Sequence, residues 1–258
     1  MDLNGKVAVV TGACGDIGRE ISMALAHAGA RIVLNDVRAE ADAAGFLGQI
    51  RASGAQAIYC RADVAKRAAV EQMFDTACDL LGVPDICIGN AAIVEVSPFL
   101  DLAEATWSAH LDSNLTGCFN VGQAAARRMV QAGKPGNIIF TSSWVQDVPS
   151  ANISAYCVAK SGLKMLARCM ALELGRHRIR VNLVAPGFVD AGLSGRLFQE
   201  KPGLREAALE YVPLGYIMSA AEVASAVMLL CSPGAGYMTG STLLVDGGNS
   251  LFLRGGNA

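Results

Sequence analysis

The chain has 258 residues, enough for one large α/β domain with a substantial core or for two small ones. Its 21 Lys+Arg against 23 Asp+Glu give a net charge of −2, and no basic run or basic-aromatic interleaving marks a face for nucleic acid or an anionic membrane. Hydrophobic residues make up 52% of it, yet no uninterrupted apolar stretch approaches the ~18 residues of a membrane span, so the surplus is expected in deep strands and in subunit interfaces of a homo-oligomer.

Residues 1–6 lead straight into Val7-Ala8-Val9-Val10, which leaves no room for a leader peptide and points to the cytoplasm. Short β-branched or apolar runs at 6–10, 31–35, 55–60, 85–88, 137–140, 180–184 and 242–245 read as strands. Longer helical stretches, such as 18–28, 65–81, 104–131 and 154–175, lie between them. This alternation predicts right-handed βαβ crossovers: an α/β fold, a doubly wound parallel sheet with helices on both faces and ligands at the carboxyl ends of the strands. No Pro/Ser-rich linker, low-complexity tract or repeat interrupts it, which predicts one domain over 1–258. Segment 186–215, with Pro186, Pro202 and Pro213 and glycines at 187, 192, 195, 203 and 215, reads as a long irregular stretch and is expected to be a substrate lid.

Eight cysteines lie in apolar segments without a Cys-x-x-Cys pair, and His27, His110 and His177 are isolated. Reduced, mostly buried thiols, structural or surface histidines and no metal are expected.

Chemistry concentrates in three places. The run Thr11-Gly12-Ala13-Cys14-Gly15-Asp16-Ile17-Gly18 follows the first strand and opens a helix, as a phosphate-cradling turn does: glycines admit a pyrophosphate and the helix N-terminus supplies N–H donors. Glycine spacing alone is weak evidence, because strand-to-helix turns are glycine-rich in general. Asp36, at the end of the second strand, stands where a ribose-binding acid accepts from the 2′ and 3′ hydroxyls, and its charge repels a 2′-phosphate. NAD(H) is therefore expected rather than NADP(H), with Arg38 as the residue arguing the other way. The third place is Ser143, Tyr156 and Lys160. In a helix the last two are i and i+4, phenol beside ammonium, an arrangement that stabilises a phenolate and suits proton transfer. A lone Tyr-x-x-x-Lys is weak; with Ser-x12 before it and a dinucleotide turn upstream it is specific.

Together the turn, the second-strand acid and the Ser-Tyr-Lys set resemble the short-chain dehydrogenase/reductase family in its compact form. The likeness spans nearly the whole chain. It takes in Asp63-Val64 as an adenine-contacting pair, Asn90-Ala91-Ala92 after the fourth strand, Asn114 in stretch 104–131, and Pro186-Gly187 after the sixth strand. The resemblance implies a three-layer Rossmann fold, a homotetramer and hydride transfer between a secondary alcohol or ketone and the nicotinamide. In it Tyr156 is the general acid/base, Lys160 stabilises the phenolate and binds the nicotinamide ribose, Ser143 holds the substrate oxygen and Asn114 holds a water that connects Lys160 to solvent. Departures are Asp16 at the usual middle glycine, Ala92 for a glycine, and Ala191 where a carboxamide-binding threonine is common; backbone near Val189 is expected to serve instead.

By family position Ile93 to Val96, Trp144, Gln146, Asn152 and the lid form the substrate pocket, Trp144 offering a flat face for a sugar and the two amides meeting hydroxyls. A polyol, sugar or other hydroxy compound is the expected small-molecule substrate. The rivals are an NADPH-dependent 3-oxoacyl-thioester reductase, which would dock a carrier protein on Arg127-Arg128, and a non-catalytic dinucleotide sensor.

Overall fold

Seven short runs of apolar and β-branched residues form one sheet in this computed structural model, which describes residues 1–201 and 203–251. The strands are β1 (Val7–Thr11), β2 (Arg31–Asp36), β3 (Ala57–Arg61), β4 (Ile86–Gly89), β5 (Gly136–Thr141), β6 (Ile179–Pro186) and β7 (Thr242–Val245). They lie in the order β3-β2-β1-β4-β5-β6-β7 and every pairing is parallel. Both faces are covered, so the inner strands read as continuous apolar runs. Along β1, Val7 and Val9 point into one core with Phe74, Met129, Phe140 and Leu163. Ala8 and Val10 point into the other, with Ile21, Leu25, Ile50 and Val227.

The first core packs under α3 (Arg67–Leu81), α5 (Gly117–Gln131) and α6 (Ser154–Leu174), the second under α1 (Asp16–His27), α2 (Glu40–Ala52) and α9 (Ala220–Cys231). Strand order reverses at β1, which has β2 on one side and β4 on the other, and so opens a crevice above the carboxyl ends of β1 and β4.

Two segments depart from the sequence reading. Stretch 104–131 is not one regular helix: α4 (Glu104–Leu111) passes through a π-helical turn at Asp112–Thr116 before α5, and Gly117 N–H donates to Asp112 O. Segment 186–215 is not irregular. It holds two short helices, Gly192–Glu200 (α7) and Leu204–Leu209 (α8). Pro186 ends β6 and Pro213 follows α8, while Pro202 lies outside the described residues. Two of the segment's glycines mark helix boundaries that need positive φ, +56° at Gly192 and +82° at Gly203. Ala208, Val212 and Ile217 close on Phe188, Phe198 and Leu209 as a small cluster separate from the two main cores.

All eight cysteines are free thiols; burial pushes Cys60 up to about 11 and Cys231 up to about 12. Buried His110 is structural, its Nε2 accepting from Glu95 N (3.1 Å) and its Nδ1 lying 2.7 Å from Thr106 O. Among the described residues no helix is long and apolar enough to cross a membrane.

Candidate active site

Thr11 ends β1 inside the crevice and ties its two walls together. Its hydroxyl donates to Ile88 O (3.3 Å) and accepts from the backbone N–H groups of Asn90 (3.0 Å) and Ala91 (3.1 Å). The Asn90 amide donates to Thr11 O (3.0 Å) and Gly12 O (3.4 Å), fixing the first glycine from the β4 side. Gly12 has a φ of +63°, and a Cβ there would stand 2.8 Å from Ala91 Cα; at Gly18 a Cβ would meet Gly12 O at 2.1 Å. Both are forced by close backbone approach. Gly15 is different: its backbone is extended and a Cβ would reach only Gly12 O, at 3.4 Å, so its bareness leaves space toward the crevice rather than relieving the fold.

Asp36 closes this end. One carboxylate oxygen accepts from Cys14 N (3.1 Å) and the other from Arg38 N (3.3 Å), which aims the acid at the rim of the turn. Cys14 contributes its backbone, since its thiol is buried and pushed up by that burial and by the neighbouring Asp36. Asp63 caps the exit of β3 through Ala65 N (2.9 Å), and Val64 O accepts from Asn120 Nδ2 (3.0 Å).

On the other side of the crevice α6 presents Tyr156 and Lys160 one turn apart. Lys160 is 1% exposed, its Nζ donating to Thr141 O (2.7 Å) and lying 5.4 Å from the centroid of the Tyr156 ring. The structure thus brings phenol and ammonium together as the i, i+4 spacing predicts. Ser143 stands at the carboxyl end of β5, and its Oγ accepts a long bond from Val145 N (3.4 Å), which leaves the hydroxyl proton for a ligand. Asn114 sits in the π turn, fully buried. Its amide accepts from Ile93 N (2.8 Å) and donates to Ile93 O (2.9 Å), so its side chain anchors the irregular segment that leaves β4, while the π turn itself packs against α6.

These groups line a cavity of about 560 Å³ with Gly12, Gly15, Asp16, Ile17, Gly18, Asp36, Asp63, Val64, Asn90, Ala91 and Ala92 on one wall and Ser143, Tyr156, Lys160, Pro186, Gly187 and Val189 on the other. Cys14 and Asn114 stand behind it. Gly187 is there by necessity, since a Cβ would lie 2.8 Å from Asp246 Cα. Of the expected substrate residues Ile93, Val94 and Trp144 line the cavity, but Glu95, Val96, Gln146 and Asn152 do not. Gln146 folds back to accept from Ser142 Oγ (2.8 Å), and Asn152 is exposed with φ +64°, its carbonyl bound by Ser97 N (2.7 Å). Residues the sequence reading does not reach are Thr141 and Ile153, and it reaches Phe188 only as part of the expected lid; the Phe188 ring lies 5.8 Å from that of Trp144, a pair that walls the substrate end. Phe188 directly follows Pro186-Gly187, and that adjacency was its available signal.

The cavity fits a dinucleotide on observations independent of its shape. A glycine cradle opens on a helix N-terminus, and Thr141, which lines the far wall, keeps a buried hydroxyl that has no partner among the described residues. The class follows from fold and site together: the chain belongs to the short-chain dehydrogenase/reductase family of nicotinamide-dependent oxidoreductases, and residues 12–250 match a family model described as enoyl-(acyl carrier protein) reductase. Among particular proteins it is 34% identical over 251 residues to 3beta-hydroxysteroid dehydrogenase 1 of Eggerthella lenta, covering 97% of this chain and 96% of that one. It is 37% identical over 248 residues to L-xylulose reductase of Mesocricetus auratus, covering 96% and 98%. The crystal structure of a short-chain type dehydrogenase/reductase from Mycobacterium marinum superposes with a TM-score of 0.90 at 34% identity, over 96% of each chain.

Proposed function

We propose that the chain interconverts a secondary alcohol and its ketone with NAD(H), Tyr156 moving the proton. The observation that carries this reading is the buried Lys160 ammonium 5.4 Å from the Tyr156 ring, at the cavity wall shared with Ser143. The nicotinamide, when bound, accepts or returns the hydride. In oxidation the alcohol O–H gives its proton to the Tyr156 phenolate as the carbon–hydrogen bond breaks; in reduction the phenol returns it to the oxygen. Lys160 holds the phenolate charge, and Ser143 donates to the substrate oxygen and fixes its angle. Asn114 sets the π turn against α6 and hangs Ile93 over the substrate. Gly12, Gly15, Ile17 and Gly18 cradle the diphosphate, Asp63 and Val64 flank the adenine, and Asn90 to Ala92 with Pro186, Gly187 and Val189 flank the nicotinamide end.

Asp36 supports NAD(H). Its carboxylate is oriented by two backbone N–H groups, so a 2′-phosphate would face a fixed negative charge; Arg38, which also lines the cavity, is the residue here that argues for a phosphate. The substrate end is largely apolar: Ile93, Val94, Ile153, Trp144 and Phe188 line it with Ser113, Ser143 and Ser150 among them, while the two amides expected to greet sugar hydroxyls lie elsewhere. We therefore move the substrate from a polyol toward a hydroxy compound with an apolar body, with 186–215 as its lid. The thioester alternative shares only its carrier protein with the family model's description, and its docking patch is weakened, because Arg128 is taken up by Glu71 (2.8 Å) and Asp75 (2.6 Å) and leaves Arg127 as the exposed cation of the pair. The complete Ser-Tyr-Lys set speaks against a sensor. Val158, Met165 and Leu172, seven residues apart on α6 and 46%, 58% and 85% exposed, form an apolar stripe that suits a homotetramer, and eight free thiols suit the cytoplasm.

The test is Tyr156→Phe assayed on cyclic, aliphatic and polyhydroxy alcohols with both cofactors. Turnover is expected to fall roughly 10³-fold, with NADH affinity held within a few-fold. Retained turnover removes Tyr156 from proton transfer, and a strong NADPH preference removes the Asp36 argument.

A further inference from the structure

A carboxylate at residue 16 is out of place beside a diphosphate, and the structure shows where it goes. Asp16 opens α1, and its Oδ2 accepts a hydrogen bond from Gly192 N (2.8 Å), the first residue of α7, 176 positions away in sequence. The carboxylate therefore lies between the N-termini of two helices, both of which favour a negative charge. Asp16 and Gly192 line the same cavity from opposite sides, as do Gly15 and Ser194, so their bond bridges its mouth. Segment 186–215 has its own small cluster and is joined to the body at its ends, by Gly187 N to Val245 O (3.1 Å) and Leu214 N to Gly247 O (3.2 Å). Val189 and Ala191 pack on the second core, and the Asp16 contact is the hydrogen bond that ties the start of α7 to the glycine turn.

We propose that Asp16 is a positioning residue that couples dinucleotide occupancy to closure of 186–215. With the segment open, Asp16 would face the diphosphate as an unanswered like charge. With it closed, the carboxylate is turned away and held by the Gly192 N–H and the α7 N-terminus. Occupancy of the turn therefore favours closure, and closure favours occupancy to the same degree. The inference rests on the reading of this cavity as a dinucleotide site.

Amide hydrogen exchange of residues 192–200 in the full chain, with and without saturating NADH, tests it alongside NADH titrations of Asp16→Asn, which keeps an acceptor without the charge, and Asp16→Gly and Asp16→Ala, which keep neither. In the parent chain NADH is expected to slow exchange of 192–200 about tenfold, an ordinary coupling between two sites. Removing the acceptor should speed exchange about tenfold without NADH and erase the NADH effect, while NADH affinity holds or rises. Asp16→Asn should keep most of the protection and bind NADH several-fold tighter. Protection that survives undiminished in Asp16→Gly and Asp16→Ala, or NADH binding weakened alike by all three substitutions, overturns the coupling. Failure of NADH to bind the parent chain would overturn the site reading instead, and the exchange difference without NADH would still decide whether Asp16 holds the segment.

Discussion

The two ends of the sheet handle charge in opposite ways. At the amino ends of the strands charges answer one another or the backbone: the Asp85 carboxylate accepts from Val7 N (2.9 Å) and meets Lys6 (3.1 Å) and Lys134 (2.9 Å), and Arg180 forks onto Leu230 O (3.0 Å) and Met238 O (3.3 Å). Burial opposes ionisation of Asp85, but these donors outweigh it and hold the carboxyl below the usual range. At the carboxyl ends the Lys160 ammonium is buried with a backbone oxygen and a ring for company, Thr141 keeps an unpartnered hydroxyl and Ser143 a free proton. At the amino end the charges of Asp85, Lys6 and Lys134 answer one another, and the buried atoms left without a partner there among the described residues, Arg31 Nε and Asn137 Oδ1, belong to side chains that face no catalytic group. The carboxyl end holds desolvated groups short of partners, which is what a site that must act on a ligand requires.

Substitutions that separate the two ends sharpen the contrast. Lys160→Met should cut kcat/KM by roughly 10³-fold, yet Tm should hold or rise, since an apolar side chain of similar length replaces a buried unpaired charge; a collapse of Tm would mean that Lys160 is structural. Asp85→Ala should do the reverse. It leaves Val7 N–H unsatisfied and costs about 2 kcal/mol, or a fall in Tm of about 5 °C for a chain of this size, with kcat/KM at 25 °C unchanged within about twofold; calorimetry and a standard assay read both. The smallest effect is on the acid side. Because the folded carboxyl of Asp85 lies below its unfolded value of about 3.9, its stabilisation is complete above that value and is lost as pH falls through the lowered one. The Tm gap between the parent and Asp85→Asn should be constant above about pH 5 and close below it, and a gap that widened in acid would reverse the sign.

Much of this was legible in the sequence, and the reasons are local. Each strand run lies within one or two residues of the observed element, because a parallel sheet buried on both faces leaves an unbroken apolar signature. The i, i+4 pair needed only a helix to bring it together. Where the reading failed, a contact or a backbone turn that no periodicity encodes decided. The π turn at Asp112–Thr116 comes with an Asn114 bound to Ile93, and the helices of 186–215 depend on a small cluster that draws in Ile217 from beyond it. Gln146 left the pocket because Ser142 captures it, and Asn152 because a left-handed backbone turns it outward to solvent. Asp16, the weakest cofactor residue on composition, makes sense only beside a partner 176 positions on.

The Thr11 hydroxyl, bound at once to Ile88 O and to the backbone of Asn90 and Ala91, also sets an order of birth. A ribosome that has released only the first three strands has made one wall of the crevice and not the other, for β4 is the next neighbour β1 acquires. The Thr11 contacts cannot close before residue 91 clears the exit tunnel, and the wall that carries Lys160, Pro186 and Gly187 cannot close before the chain beyond 186 does. Stalled chains of increasing length should acquire protease resistance in that sequence, β1–β4 before 186–215, and the opposite sequence would show that the C-terminal part templates the rest.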